Sequence, residues 1–354
     1  MLMDHRGDVP VTDVGAAALS RVTDLVTERG ASAQLVVLHR GEVVLDRTWG
    51  VPPEVPFLLF SAGKPFIAVL THRLAAAGAL HLDDPIARHW PEFAAHGKDG
   101  ITVRQVLQHR SGLPWARSLV RDALACPSWE RSTRALAAAR PHHAPGAAPA
   151  YHVISYGFLL GEVLQRATGE PLRELMRREL IEPLGLHHTH LGTPRHQWRH
   201  RVPLRGAAGP RQLLFNRRLL REAVVPAATM AGPARDLARF YQAVLEGDVL
   251  PPAATAELLT PSSEGETDRY FGRSVRWSQG FQLGGPDDDP TRIRALGRRT
   301  SPRTFGHNGS NACLAWADPD RDLVLAYVTN RLHPSGEASE HFCDLSDAVV
   351  AACS

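Results

Sequence analysis

Lysine is nearly missing from this sequence. Of its 354 residues 40 are Lys or Arg, but only Lys64 and Lys98 are lysines, which leaves 38 arginines. Arginine cannot give up its proton in a protein. Any chemistry here that needs an uncharged amine therefore falls to one of two residues. Lys98 sits in the loop-like Gly97-Lys98-Asp99-Gly100, and its retention is read as chance. Lys64 has more informative neighbours.

Cysteine is also scarce. The four, Cys126, Cys313, Cys343 and Cys353, have neither metal-ligand nor redox spacing and read as reduced packing residues. No apolar run reaches membrane-spanning length, and Met1 to Thr12 carries charges without an apolar leader core, so a cytoplasmic protein with no membrane partner is expected. A net charge of +3 demands no anionic partner. The Arg-rich stretch 194–221 lacks the aromatic interleaving of a nucleic-acid site, so no nucleic-acid partner is expected. His142-His143 and His187-His188-Thr189-His190 lack companion ligands at metal-site spacing, so neither metal nor cofactor is expected.

What is present has a clear order. Thr12 to Arg29 has amphipathic helical spacing, with Thr12 as its cap. Gln34 to His39 and Glu42 to Trp49 flank Arg40-Gly41 and read as a hairpin. From Ser61 to about Thr260 the pattern is mainly helical, with helices over Pro65–Ala79, Ser155–Thr168, Glu170–Leu184 and Pro233–Gly247. Strand character returns at Trp277–Leu283, Arg303–His307, Asn311–Ala317 and Leu323–Thr329, and Glu337–Cys353 closes as a helix. The expected fold class is α/β (α+β): one antiparallel sheet built from both chain termini and flanked by helices, with a mainly helical domain inserted. The corresponding domains are 1–60 with 275–354, and 61–274, with the active site between them. The poorly patterned stretch Pro194–Arg221 reads as a solvated insertion, with a roof over the active site as the alternative.

Ser61-Ala62-Gly63-Lys64 lies where Phe57-Leu-Leu-Phe60 runs into a helix. A serine at a helix start faces free backbone N–H groups. A lysine three residues on shares its helix face, and burial makes its amine shed its proton more easily. Lowering a lysine from about 10.4 to about 7–8 corresponds to roughly 4 kcal/mol and leaves a base able to take the serine proton. With eighteen serines and two lysines this spacing arises by chance about one time in ten, so other elements must support it. Tyr151, one of only five tyrosines, precedes the apolar helix and could relay a proton; the competing reading is a packed helix-cap tyrosine. In Phe305-Gly-His-Asn-Gly-Ser310 small residues end a strand, and the N–H groups of Ser310 and Ser61 could form an oxyanion hole. The competing reading is a Gly-rich turn.

Taken in order, these elements resemble the serine β-lactamase and penicillin-binding-protein superfamily, whose S-x-x-K signature they carry, and its class C branch of esterases, D-amino-acid peptidases and transacylases in particular. Leu82-Asp-Asp-Pro85, Val106-Leu-Gln-His-Arg-Ser-Gly-Leu-Pro114, Tyr156-Gly-Phe-Leu-Leu-Gly161 and Pro183-Leu-Gly-Leu186 extend the resemblance over most of the chain. It implies Ser61 as nucleophile, Lys64 as general base and Tyr151 as the tyrosine of Y-x-N. It places His307-Asn308-Gly309 where lactamases have K-T-G, and Trp277 in the segment that precedes it. Val153 stands where Y-x-N has Asn, and His307 replaces the lysine that attracts a substrate carboxylate. Both departures point away from lactams and cell-wall peptides. The expected substrate contacts are His307, Asn308, Gly309, Val153 and Trp277. The leading expectation is hydrolysis of a small carboxylic ester through an acyl-Ser61 intermediate. The rival is transfer of that acyl group to an amine or alcohol of a biosynthetic pathway, and a catalytically silent binding protein is the reading from a different class. The expected partners are a small-molecule acyl donor and, for the rival, the acceptor.

Overall fold

The computed structural model describes residues 4–6, 16–206, 210–285, 294, 296–332 and 334–354. Seven strands form the main sheet: β1 (Asp4–Arg6), β2 (Ala33–His39), β3 (Glu42–Trp49), β4 (Gln282–Leu283), β5 (Phe305–Gly309), β6 (Cys313–Asp318) and β7 (Leu323–Thr329). Their spatial order is β1-β3-β2-β7-β6-β5-β4, antiparallel throughout. The amino-terminal hairpin therefore joins the carboxy-terminal meander where β2 pairs with β7, Leu35 opposite Tyr327. Arg40 and Gly41 both take positive φ, +54° and +77°, as a tight two-residue hairpin turn requires.

The main helices are α1 (Ala16–Thr27), α2 (Lys64–Ala76), α3 (Ser155–Thr168), α4 (Ala234–Glu246) and α5 (Ser335–Ala352). Thr12, expected to cap α1, lies outside the described residues. Side chains of a strand alternate between faces, and here both faces are covered. Leu323, Leu325 and Tyr327 of β7 share a core with residues of α1 and α5. Val324, Ala326 and Val328 share the other core with α2 and α4. Burial on both faces makes these strands read as continuous apolar runs rather than alternating ones.

Helix α2 is buried almost all round, from Lys64 through His72, with Phe66 stacked on Phe240 at 4.0 Å. A helix in the middle of a core needs no polar face, and that position is what desolvates Lys64. No helix among the described residues is long and apolar enough to cross a membrane. All four cysteines are buried and unbridged.

Several expectations need correction. Strand pairing in the Trp277–Leu283 segment is confined to Gln282–Leu283, with Trp277 in isolated bridges to Ser263 and Gln282. Glu170–Leu184 is a short α-helix, Leu172–Met176, that widens into a π turn at Arg177–Ile181. Lys98 is not an incidental loop residue: it is fully buried and donates to the carbonyls of Ala95 (2.6 Å), Ala137 (2.9 Å) and Ala139 (2.6 Å).

The segment 194–221 is only in part a solvated insertion. Val202, Leu204, Leu220 and Arg221 are buried within it, and Arg205–Gly206 pairs in parallel with Arg331–Leu332. The Arg221 guanidinium donates to Phe215 O (2.7 Å), Val202 O (3.1 Å) and Asn216 Oδ1 (3.3 Å). An arginine folded inward onto carbonyls reads as polar surface in a sequence, which hid the packing.

Candidate active site

Ser61 is placed by a strained turn. Phe57–Leu58 pairs with the strand Met230–Gly232, and Leu59 N donates to Met230 O at 2.8 Å. Phe60 then takes a left-handed φ of +50°, uncommon for a bulky residue. The chain turns into a 3₁₀ segment, Phe60–Gly63, which runs directly into α2. Ser61 is left half-buried at the helix start, facing a cavity of about 640 Å³.

Lys64 Nζ lies 3.2 Å from Ser61 Oγ and donates to Val153 O at 2.8 Å. It also sits 4.6 Å from the centre of the Tyr151 ring. Lys64 is fully buried, and loss of hydration holds its amine well below the ordinary lysine value. No carboxylate among the described residues forms an ion pair with it, so the Val153 carbonyl and the Tyr151 ring are set against the loss of hydration without help from an opposite charge.

The Tyr151 hydroxyl shares a hydrogen bond with Ser61, and burial pushes its pKa upward despite that bond. Burial thus shifts the two groups in opposite directions, favouring the protonated phenol and making the Lys64 amine easier to deprotonate. The Tyr151 ring stacks on Trp277, centroids 5.3 Å apart and planes 5° from parallel. Trp277 itself is fully buried and does not line the cavity. It backs the tyrosine.

Two residues that the sequence did not single out complete this wall. Buried Asp268 accepts from the backbone N–H of Tyr151 (3.2 Å), Tyr270 (2.8 Å) and Phe271 (3.2 Å), and from Trp277 Nε1 (3.0 Å). His109 packs against Tyr151, Tyr156 and Trp277 at 4.7–5.0 Å between ring centres, and its Nδ1 accepts from His152 N at 3.2 Å. Burial first, then the neighbouring His152, Lys64 and His307, keep His109 well below the usual histidine range. His109 belongs to the Val106–Pro114 stretch, a signal that was visible. Asp268 belongs to a loop with no pattern.

The opposite wall is the end of β5. His307 and Asn308 line the cavity, as do Val153 and Ser310. His307 is buried and pushed down to about 3 by desolvation and by Lys64. The lowered value keeps the ring neutral near pH 7, and its Nδ1–H donates to Asn308 O at 2.6 Å. It cannot attract a carboxylate by charge as a lysine would. Gly309 does not line the cavity but sets its width: a Cβ there would fall 2.1 Å from Leu59 O and 2.3 Å from Cys313 Sγ. Only glycine lets β5 lie this close to the Ser61 turn. Ser310 and Asn311 follow at φ +45° and +63° and turn the chain into β6.

Asn308 N and Nδ2 donate to Gln282 Oε1 (3.3 and 3.4 Å), and Gln282 also reaches the cavity. The segment 194–221 supplies Leu213, Leu214 and Phe215 above Ser61, with Phe215 edge-on to Phe60 at 4.8 Å. Among the described residues, no group of three or more His, Cys, Asp or Glu is arranged to hold a metal ion.

With this geometry in view, the Beta-lactamase family description matches residues 21–344. The chain belongs to that family. It is 30% identical over 322 residues to the esterase/beta-lactamase LipL of Mycobacterium tuberculosis, covering 81% of this chain and 72% of that protein. It is 31% identical over 198 residues to esterase EstB of Burkholderia gladioli, 48% of this chain and 50% of that protein. A solved family VIII carboxylesterase superposes with a TM-score of 0.79 at 25% identity, covering 97% of this chain and 100% of that one. A penicillin-binding-protein homologue from Caulobacter crescentus gives 0.78 at 26% identity, covering 96% and 100%. The fold is that of the β-lactamases and transpeptidases, and the protein is a serine hydrolase.

Proposed function

We propose that this protein hydrolyses a carboxylic ester through an acyl-Ser61 intermediate. The observation that carries the proposal is the fully buried Lys64 amine 3.2 Å from Ser61 Oγ, its pKa lowered by loss of hydration. In the first step Lys64 takes the Ser61 proton as Oγ attacks the ester carbonyl. The oxyanion is held by the N–H groups of Ser61 and Ser310. The carbonyl–alkoxy bond then breaks, and the proton passes from Lys64 to the leaving alcohol, through the Tyr151 hydroxyl. Water, deprotonated by Lys64, attacks the acyl carbonyl; the acyl–Oγ bond breaks, Oγ takes the proton back from Lys64, and the acid and free Ser61 are released. The catalytic cleft lies between two domains, 1–60 with 275–354, and 61–274.

Two features support an ester over a lactam. His307 is neutral, and the apolar side chain of Val153 lines the cavity where an amide side chain would hold a lactam substrate. The esterases among its relatives support the same reading. The test is Ser61→Ala, which is expected to lower kcat/KM on activated short-chain esters by about four powers of ten or more, together with an acyl mass increment on the Ser61 peptide of the parent protein. Full activity in Ser61→Ala would defeat the proposal.

A second reading is transfer of the acyl group to an amine or alcohol. The half-buried apolar side chains of Leu214 and Phe215, which line the Ser61 cavity, favour it by limiting access of water to the acyl-enzyme. Partitioning of the acyl-enzyme between water and added amines or alcohols decides it. If hydrolysis is the sole outcome under every acceptor, transfer is excluded.

A further inference from the structure

Exposed large apolar side chains are few on this protein, and they are gathered in one place. Among the described residues they are Leu119, Val120, Leu124, Leu213, Leu219 and Phe271. Five of these six, all but Leu219, line the cavity that holds Ser61. Val120, Leu124 and Leu213 are 69%, 66% and 69% exposed. An isolated exposed leucine needs no explanation, but a contiguous apolar patch does.

The patch has a built form. The short helix Leu119–Ala125 has no buried residue. It is anchored at its start, where Ser118 accepts from Arg121 N at 3.3 Å and Asp122 takes the backbone N–H of Ala116 at 2.6 Å. That anchoring directs Leu119, Val120 and Leu124 to the cavity. Leu213 comes from the facing helix Pro210–Phe215, and Phe271 from the loop that Asp268 ties to Tyr151. Two helices and one loop thus present apolar side chains around a mouth that leads to Ser61. No Asp or Glu among the described residues lines the cavity, and its charged members are Arg211 and Arg217. A cationic or strongly hydrated acyl group is therefore disfavoured.

We propose that this collar is an acyl-chain subsite, and that the substrates are esters of medium- to long-chain apolar acids rather than of acetate. The proposal rests on the Ser61 reading, since the chain is placed by its attachment to the reacting carbonyl. The occupant follows from continuity: the collar opens directly onto the nucleophile, so what covers it is the remainder of the molecule that Ser61 attacks.

The test compares p-nitrophenyl acetate, octanoate and dodecanoate, all below their aggregation concentrations. Each methylene that is buried is worth about fourfold in kcat/KM, the equivalent of about 0.8 kcal/mol. Burying three of the six additional methylenes gives octanoate an advantage of about sixtyfold over acetate. The double variant Leu124→Ser/Leu213→Ser is expected to cut that ratio at least fivefold, and the exposure of both positions keeps the fold intact. A flat ratio across chain length, or a ratio unchanged in the double variant, overturns the proposal. So does a chain-length preference that arises only once the ester aggregates, because the collar would then be meeting a lipid surface rather than a single chain.

Binding separates this inference from the Ser61 reading. Ser61→Ala titrated with p-nitrophenyl dodecanoate is expected to bind it at least fivefold more tightly than Ser61→Ala carrying Leu124→Ser and Leu213→Ser. Equal affinities refute the collar whatever the catalytic outcome. Inactivity of the parent protein toward every ester, with that binding difference intact, would remove the nucleophile assignment and leave the subsite standing.

Discussion

Lys64 Nζ donates to the main-chain carbonyl of Val153 at 2.8 Å. The lysine is thus held by backbone, with its other near neighbour the Ser61 hydroxyl. A carbonyl only accepts, so this bond uses one N–H of the amine and leaves a lone pair for the Ser61 proton.

From this follows a pH dependence. The amine works as a base only when neutral, and burial holds its folded-state pKa well below the ordinary lysine value. The kcat/KM for a non-ionising ester is therefore expected to rise with pH through that lowered value and to be flat well before pH 10. Lys64→Ala should lose about two to four powers of ten and the limb with it. Lys64→Arg should be no better, since a guanidinium keeps its proton. A rising limb centred near the ordinary lysine value in the parent protein would contradict the assignment.

Asp268 orders the tyrosine wall. Its two oxygens satisfy three backbone N–H groups and the Trp277 indole, and hydrogen bonds to a charged acceptor are among the stronger ones. Asp268→Ala leaves those donors buried without partners, so a loss of about 2–4 kcal/mol in urea unfolding is expected. Tyr151 also loses its backing, so kcat should fall more than KM rises. Wild-type kcat in folded Asp268→Ala would show that this wall does not position Tyr151.

Some of this was legible in the residues and some was not. Helix α3 was read with its true ends, because an apolar helical run there stops at Gly169, a residue suited to the left-handed cap it adopts. The Ser61-x-x-Lys64 spacing was legible because both residues act through side chains on one helix face. Val153 works through its carbonyl, which every residue type possesses, so its identity carries no signal. Asp268 acts on N–H groups of its own loop and on one distant indole, a set with no fixed spacing. Arg221 and Lys98 were misread for a shared reason: each charged side chain is buried against carbonyls, and composition treats both as surface.

Gly309 controls how closely β5 approaches the Ser61 turn. Adding one methyl group places it 2.1 Å from Leu59 O and 2.3 Å from Cys313 Sγ, distances that force the strand away. Gly309→Ala is therefore expected to widen the gap between the N–H groups of Ser61 and Ser310. Loss of one oxyanion donor costs about a hundredfold to a thousandfold in kcat. Affinity for a boronate that mimics the tetrahedral intermediate should fall in parallel, while affinity for the product acid changes little. Unaltered boronate binding would mean that this strand end has no part in holding the oxyanion.

Buried neutral histidines set the acid limit of the fold. Burial pushes His72 down to about 4 and His152 and His307 to about 3, from an unfolded value of 6.5. Each binds its proton more weakly folded than unfolded. Between the folded and unfolded values the unfolded chain therefore holds more protons, and stability rises with pH there. The contribution is complete above about pH 6.5 and is lost as pH falls toward 4 and 3. For His72 alone it is on the order of 3 kcal/mol. Urea midpoints at pH 7, 5.5 and 4.5 should fall progressively, with a slope of more than one proton. His72→Gln has a side chain able to reach toward Gln279, the present partner at 3.2 Å, and has no titrating group. It should flatten that slope by about one proton. A midpoint constant from pH 7 to 4.5 would show that these histidines are not held neutral by burial.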